Sequence, residues 1–397
     1  MKIMTAMYTL RRGGAYGRFL MMIEAFLERK CEVHCLSLTP IQIEHSFYHN
    51  HTIHFPFKKV DGLIAKLAVL SIFPPWAIWV GWRNKIDLII AFGSLYAFVQ
   101  GFAKWWLKKS MVTLIRGRSS FGLEMQNSSK WTLCMNNFME NVGIRFSDRI
   151  ITNNVTARSE ILKRVGKKKD IDVQVLYNNI PPMNINEPEN VYQVRDKYGI
   201  PREAKVLVTA GILNRGKNIE TLINCLPQIG IENLYLLVVG DGSTEADLRY
   251  RDSLQRLAKK LGLEKKVIFT GWLEKEDLWE VYRASDLFVL SSMNEGMPNA
   301  MLEALALDLP CLGSNIPGVK DILHHDELLF DPLDRRSLAD KIQEVLYDPH
   351  GFDEIRNRCR EQKMVFTFDW KERFYKLLAG EVCHKIGNFE KGFRRCP

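Results

Sequence analysis

The sequence predicts an α/β protein built as two doubly wound, Rossmann-like domains. Three observations lead there. Apolar runs of strand length alternate with helix-like segments along the whole chain, the pattern of parallel sheets with helices on both faces. The alternation is interrupted after Tyr177 by Asn178-Asn179-Ile180-Pro181-Pro182 and a polar stretch to about residue 201. The chain has 397 residues, more than a single hydrophobic core usually organises.

In the first half, Lys2–Thr9, Glu32–Leu38, Asp87–Phe92, Met111–Ile115 and Arg149–Thr152 read as strands, with Arg18–Glu28 as the first helix. The opening run superficially suggests a signal peptide, but it is short and leads into Arg11-Arg12-Gly13-Gly14, not a small-residue cleavage site. It reads better as a first strand and a phosphate loop. In the second half, Lys205–Ala210, Leu234–Val239, Lys266–Thr270, Asp286–Leu290 and Pro310–Gly313 read as strands. The expected division is a domain over 1–180, a linker over 181–201 and a domain over 202–365. Residues 366–397 would return as a helix to the first domain, the last dozen fraying. Doubly wound sheets bind ligands beyond the carboxyl ends of their strands. The loops at Gly13-Gly14, Gly211–Asn218, Gly240-Asp241-Gly242 and Asn294–Asn299 are therefore expected to line a cleft across which the two domains face.

Composition is that of an ordinary soluble globular protein, 46% hydrophobic and 25% charged. Eight cysteines are scattered without a C-x-x-C pair, which points to a reducing, cytoplasmic compartment. Charge is divided unevenly. Residues 1–180 carry 25 Lys+Arg against 12 Asp+Glu, a net of +13, whereas the remainder carries 30 against 34. A basic first half suits an anionic partner. It also holds Trp76, Trp79, Trp82, Trp105 and Trp106 among lysines and arginines, a composition suited to a bilayer interface or, alternatively, to a core. The longest unbroken apolar run, Leu67–Trp82, contains Pro74-Pro75 and is shorter than the roughly 20 residues a span needs. The expectation is peripheral contact with the cytoplasmic face of a membrane and no nucleic-acid partner.

The segment Ser291–Pro310 (SSMNEGMPNAMLEALALDLP) carries Glu295 and Glu303 on either side of a helix start. An apolar strand runs into Asn294-Glu295-Gly296, and Pro298 is suited to the first helical position, giving a helix over Pro298–Leu307. Backbone N–H groups from Gly296 to Ala300 would lie at the positive end of the helix dipole, where a diphosphate fits. One carboxylate can then reach a ribose and the other a sugar. The alternative is a pair of solvated surface acids.

Five blocks follow one another in the second half: VLVTAGILNRGKNIETLI, LLVVGDGSTEADL, VIFTGWL, VYRASDLFVLSSMNEGMPNAMLEALALDLPCL and NIPGVKDIL. The Gly13-Gly14 loop, TLIRG, DRIIT, SEILK and VLYNNI precede them. Together they resemble the retaining glycosyltransferases of family 4, enzymes of the two-domain GT-B fold, over nearly the whole chain. The resemblance implies that Glu295 contacts the donor sugar, that Glu303 binds the ribose hydroxyls and that Lys217 neutralises the donor diphosphate. Gly14 would offer its N–H across the cleft, Gly296, Met297, Pro298 and Asn299 would cradle the donor, and Trp272 and Leu273 would hold the base, with a purely structural role the alternative for Trp272.

The chain departs from the family at three places. Ile212 stands where an Arg is usual, with Arg215 as the substitute for its charge. Ile90-Ala91-Phe92 replaces a His-x-His, and Arg116 replaces a second His. Arg116 cannot act as a base, so its expected role is to hold the transferred sugar or a phosphate, with Arg118 either an acceptor contact or a surface charge. The implied activity is retaining transfer from a nucleotide-diphosphate sugar, with UDP as the family-level expectation, to a lipid-linked or other cell-envelope glycan. A small soluble acceptor and a catalytically silent sugar-nucleotide-binding role are the alternatives.

No cofactor and no metal ion is expected. Asp170-Ile171-Asp172 lies in a charged loop, and Asp241 is expected to shape a turn. His45, His49, His51 and His54 lack metal-ligand spacing with cysteine and are expected to point in different directions.

Overall fold

The structure, a computed structural model, describes residues 1–7, 14–53, 63–117, 129–166, 171–180 and 191–385. Gly13, His54, Arg118, Asp170 and the segments 181–190 and 386–397 lie outside the described residues. The chain forms two units, Met1–Tyr177 joined by the segment from Asp369, and Asn178–Phe368.

The first unit holds a seven-stranded, all-parallel sheet in the order β3-β2-β1-β4-β5-β6-β7. Its strands are β1 (Lys2–Ala6), β2 (Glu32–Ser37), β3 (Tyr48–Thr52), β4 (Leu88–Phe92), β5 (Ser110–Ile115), β6 (Arg149–Thr152) and β7 (Asp172–Val175). Strand β4 is a continuous buried apolar run, and β1, β2 and β5 are buried in all but their first residue, as central parallel strands require. The helices are α1 (Gly14–Leu27), α2 (Leu63–Arg83), α3 (Ser94–Leu107), α4 (Lys130–Phe146) and α5 (Val155–Val165). Helix α2 continues through Pro74 and Pro75. These prolines remove two intrahelical donors, but Val69, Phe73, Ala77 and Val80 bury a continuous stripe against Met4 and Ile89 of the sheet.

The second unit holds a six-stranded parallel sheet, β10-β9-β8-β11-β12-β13. The strands are β8 (Lys205–Ala210), β9 (Leu234–Val239), β10 (Val267–Gly271), β11 (Leu287–Leu290), β12 (Cys311–Ser314) and β13 (Leu329–Phe330). The helices are α6 (Val191–Lys197), α7 (Ile219–Cys225), α8 (Glu245–Lys260), α9 (Lys275–Arg283), α10 (Asn299–Ala306), α11 (Pro317–Leu323), α12 (Arg335–Tyr347) and α13 (Pro349–Phe366). One core joins Leu207, Leu236, Val238 and Val289 of the strands to Ile223, Leu254 and Ile342 of the covering helices. Helix α14 (Trp370–Lys385) belongs to the first unit, where Phe374 meets Phe26 edge-on at 5.6 Å and Lys371 pairs with Glu24 and Glu28.

Three expectations need correction. The stretch expected as linker is folded from Val191 onward. Helix α6 is anchored by Arg195, whose guanidinium donates to the carbonyls of Arg202, Ala204 and Ala284 and pairs with Asp286 at 3.3 Å. Helix α10 begins at Asn299, with Pro298 as its cap in an extended conformation. Strand β3 (YHNHT) was not anticipated, because an edge strand needs no apolar run. It sets His49 and His51 on one face beside His34 of β2, not in different directions.

Candidate functional site

The order of the second sheet reverses between β8 and β11, which are hydrogen-bonded neighbours. At such a switch point the two outgoing loops run to opposite sides and leave a crevice beyond the strand ends. The β8 loop carries Lys217 and the β11 loop carries Glu295.

The two loops are stitched together. Met293 N–H donates to the Gly216 carbonyl at 2.8 Å, and the Ser291 hydroxyl donates to the Lys217 carbonyl at 3.0 Å. Lys217 Nζ meets Glu295 Oε1 at 2.6 Å, and the Ser292 hydroxyl donates to the same oxygen at 2.7 Å. Both side chains are largely enclosed, 19% and 15% exposed. Lys217 ends a one-turn 3-10 helix over Arg215–Lys217, stopped by Asn218 in the left-handed region. Asn218 is fastened by its donation to the Pro332 carbonyl at 2.8 Å.

Glycines let the backbones converge here. A Cβ on Gly211, which closes β8 at φ 147°, would lie 3.3 Å from Lys217 Nζ. A Cβ on Gly240, at φ 114° beyond β9, would lie 2.0 Å from the Gly211 carbonyl oxygen. Gly318, in the first turn of α11, packs against the backbone of Glu295 and Gly296 so closely that a Cβ would lie 2.4 Å and 2.3 Å from their oxygens.

The expected donor residues fall around this point in part. Gly296, Met297, Pro298 and Asn299 lead into α10. Asn178 fixes them, its amide donating to the Met297 carbonyl at 3.0 Å and to Asn299 Oδ1 at 2.9 Å. Glu303 lies half-buried on α10. Burial, with the Glu303 carboxylate next in weight, pushes the phenol of the enclosed Tyr282 well up. Trp272 and Leu273 follow Gly271 at the end of β10, both half-buried. Arg215 is exposed, its guanidinium 6.0 Å from the Tyr250 ring. Tyr250 in turn accepts the Ile219 N–H at 3.0 Å and donates to Glu220. Asp241 accepts from Gly242 N–H at 2.7 Å and pairs with Arg251 at 2.9 Å, the turn role expected of it.

In the first unit the sheet order reverses between β1 and β4, and the remaining expected residues cluster at that end. Arg116, just past β5, donates to the Gly14 carbonyl at 3.2 Å and lies 5.8 Å from the Phe92 ring. Phe92 packs edge-on against Phe19 at 5.4 Å. Asp172 is taken up by Arg149 at 2.7 Å within the sheet. Sequence reasoning missed Asn178, assigned to the end of the first domain, along with Ser292 and Gly318. The blocks VLYNNI, VYRASDLFVLSSMNEGMPNAMLEALALDLPCL and NIPGVKDIL, which hold them, were the available signal.

Residues 192–364 match the family described as glycosyl transferases group 1. Among curated proteins, the chain is similar to the N-acetyl-alpha-D-glucosaminyl L-malate synthase of Bacillus anthracis, 27% identical over 62% of this chain and 64% of that one. It is also similar to a lipopolysaccharide core biosynthesis glycosyltransferase of Rhizobium meliloti, 29% identical over 52% of this chain and 58% of that one. The matches thus span less than two-thirds of these relatives. Among solved structures, the Anabaena protein HepE in complex with UDP-glucose superposes with a TM-score of 0.75 at 19% identity, over 96% of this chain and 100% of that one.

Proposed function

Starting from a chain that carries a group 1 glycosyl transferase domain over residues 192–364 in a GT-B architecture, we propose the following reaction. The protein moves a sugar from a nucleotide-diphosphate sugar, with UDP as the nucleotide, to a lipid-linked or other cell-envelope glycan at the cytoplasmic face of the membrane. The observation that carries this reading is the enclosed Lys217–Glu295 pair at the β8/β11 switch point, beside the N-terminus of α10.

Transfer breaks the bond between the sugar's anomeric carbon and the diphosphate, and the departing oxygens take up negative charge. Lys217 and the start of α10 supply fixed positive potential where that charge grows, so no metal ion is required of the mechanism. Arg215 adds a mobile charge at the rim. Glu295, already held by Ser292, accepts from the donor sugar's hydroxyls, and Glu303 accepts from the ribose. Arg116 stays protonated at any physiological pH and so cannot take the acceptor's proton. That proton goes to the departing phosphate oxygen while the acceptor oxygen bonds to the anomeric carbon on the face the leaving group vacates, and this same-face attack gives retention of configuration. The UDP assignment draws on the neighbour bound to UDP-glucose.

The envelope acceptor draws on the surface of the first unit. Trp82, Trp105 and Trp106 are 70%, 72% and 64% exposed, with Trp79, Phe102, Trp131 and Phe138 also outward on α2, α3 and α4, which pack side by side. Trp76, by contrast, packs inward against Phe73. Among the described residues no helix is long and apolar enough to cross a membrane. A soluble acceptor is the second reading, favoured by the relative named for malate. The test is incubation with labelled UDP-sugar and either membrane extract or small hydroxy acids, with the product's anomeric configuration read by NMR. Label in the lipid fraction with the donor's configuration kept supports the proposal. Label only on small acceptors, or an inverted product, overturns it.

A further inference from the structure

At the edge of the first sheet, four ionisable side chains share one face of β2 and β3. Glu32 and His34 alternate along β2, and His49 and His51 alternate along β3, with His34 and His49 in register. Glu32 Oε1 lies 3.2 Å from His34 Nε2 and 3.3 Å from His49 Nε2. The facing atoms of this trio all lie within 4.8 Å of one another. Donors bound at about 2.0–2.1 Å in a tetrahedron are spaced by roughly 3.3 Å, so the two carboxylate–imidazole separations match those around a zinc ion.

His34 is the informative member. It is 2% exposed, and its Nε2 makes no hydrogen bond of usable geometry despite being buried. Its other nitrogen, Nδ1, lies 2.9 Å from His51 Nε2. With the proton on Nδ1, donated to His51, the buried Nε2 presents a bare lone pair towards a carboxylate oxygen. In that tautomer a cation between the two atoms would satisfy both. An outer hydrogen bond that fixes the tautomer of a ligating imidazole is the recurrent second layer of metal sites. Lys2 Nζ spans the carboxylate, 2.9 Å from Oε2 and 3.2 Å from Oε1, so a bound cation would take over Oε1 and leave Lys2 on Oε2; His49 is 42% exposed, which opens a route from solvent.

We propose that Glu32, His34 and His49 form a binding site for a zinc-like divalent cation, with water as the fourth ligand, that ties edge strand β3 to β2. The imidazole and carboxylate donors select zinc over calcium or magnesium. The site is structural and separate from sugar transfer.

The test titrates chelator-treated, full-length protein with Zn²⁺ by calorimetry and with Co²⁺ by visible absorption, alongside His49→Gln, His34→Gln and the exposed control His45→Gln. The expected result is a saturable equivalent giving a tetrahedral Co²⁺ spectrum without thiolate charge transfer, and a zinc-dependent rise in Tm. His49→Gln and His34→Gln should lose this equivalent, weakening binding by at least about tenfold. His45→Gln should retain it. Since His49 is partly exposed, its variant folds without zinc, which circular dichroism verifies. Absence of saturable binding, unchanged affinity in His49→Gln, or a thiolate spectrum would overturn the proposal.

Discussion

Lys217 and Glu295 form a 2.6 Å ion pair that joins the loops following two adjacent strands, β8 and β11. The Ser292 hydroxyl donates to the same Glu295 oxygen at 2.7 Å, so the pair is fixed by its own neighbours. Lys217→Ala removes a charged hydrogen bond worth about 1.5–3 kcal/mol, so the affinity for the free nucleoside diphosphate should fall roughly 10- to 100-fold. Calorimetry with the diphosphate alone measures this, and an unchanged Kd would remove Lys217 from the donor site.

Glu295→Gln keeps the shape and one acceptor oxygen but discharges Lys217's partner. If Glu295 addresses the sugar during transfer, kcat should drop by about 10²-fold or more while the Kd for the nucleoside diphosphate stays within a few-fold. A loss confined to KM would instead assign Glu295 to ground-state binding.

The backbone approach of Gly240 to Gly211 predicts a stability effect separate from chemistry. Gly240→Ala combines a positive φ with a Cβ 2.0 Å from a backbone oxygen, whereas Gly262→Ala, at φ 68°, meets nothing within 4 Å. The second should cost about 1 kcal/mol and the first at least about 2 kcal/mol, read as shifts in urea midpoint at constant m. Equal costs would mean that the strand ends separate easily.

How far these sites were legible in the sequence depends on which residues carried an apolar signal. Strands β8 and β9 matched their expected bounds because each is a buried valine- and leucine-rich run. Strand β3 escaped because its polar residues sit at a sheet edge, and the grouping of His34, His49 and His51 is set by register, which no local pattern displays. Helix α6 was hidden for a similar reason: its anchor is Arg195, whose contacts with the Ala284 carbonyl and the Asp286 carboxylate reach far along the chain. The Lys217–Glu295 neighbourhood was foreseen as two separate roles, and their direct contact emerges only when β8 and β11 are seen to be neighbours.

The outward tryptophans give a membrane prediction. Replacing Trp82, Trp105 and Trp106 with Ser should weaken sedimentation with anionic liposomes by about 1 kcal/mol or more per residue, with added salt weakening it further. Sedimentation unaffected by the triple substitution would shift the acceptor reading to soluble substrates.

Cysteine accessibility tests the packing of both units. Cys134 is exposed, whereas Cys31, Cys35, Cys225, Cys311 and Cys359 are buried, and burial pushes the Cys35 and Cys225 thiols up to about 12. A thiol reagent at neutral pH should modify Cys134 within the native protein and leave those five intact, as peptide mapping by mass spectrometry would show. Rapid modification of Cys225 would indicate that the core around α7 opens readily.

The most direct measurement is calorimetric binding of UDP-, GDP- and ADP-sugars to the wild-type protein and to Glu303→Ala and Lys217→Ala. The predicted result is selective binding of a UDP-sugar that both substitutions weaken by about tenfold or more, with the fold intact by circular dichroism. Binding of no nucleotide sugar by the folded wild-type protein, or binding indifferent to both substitutions, would contradict the assignment of this crevice as a donor site.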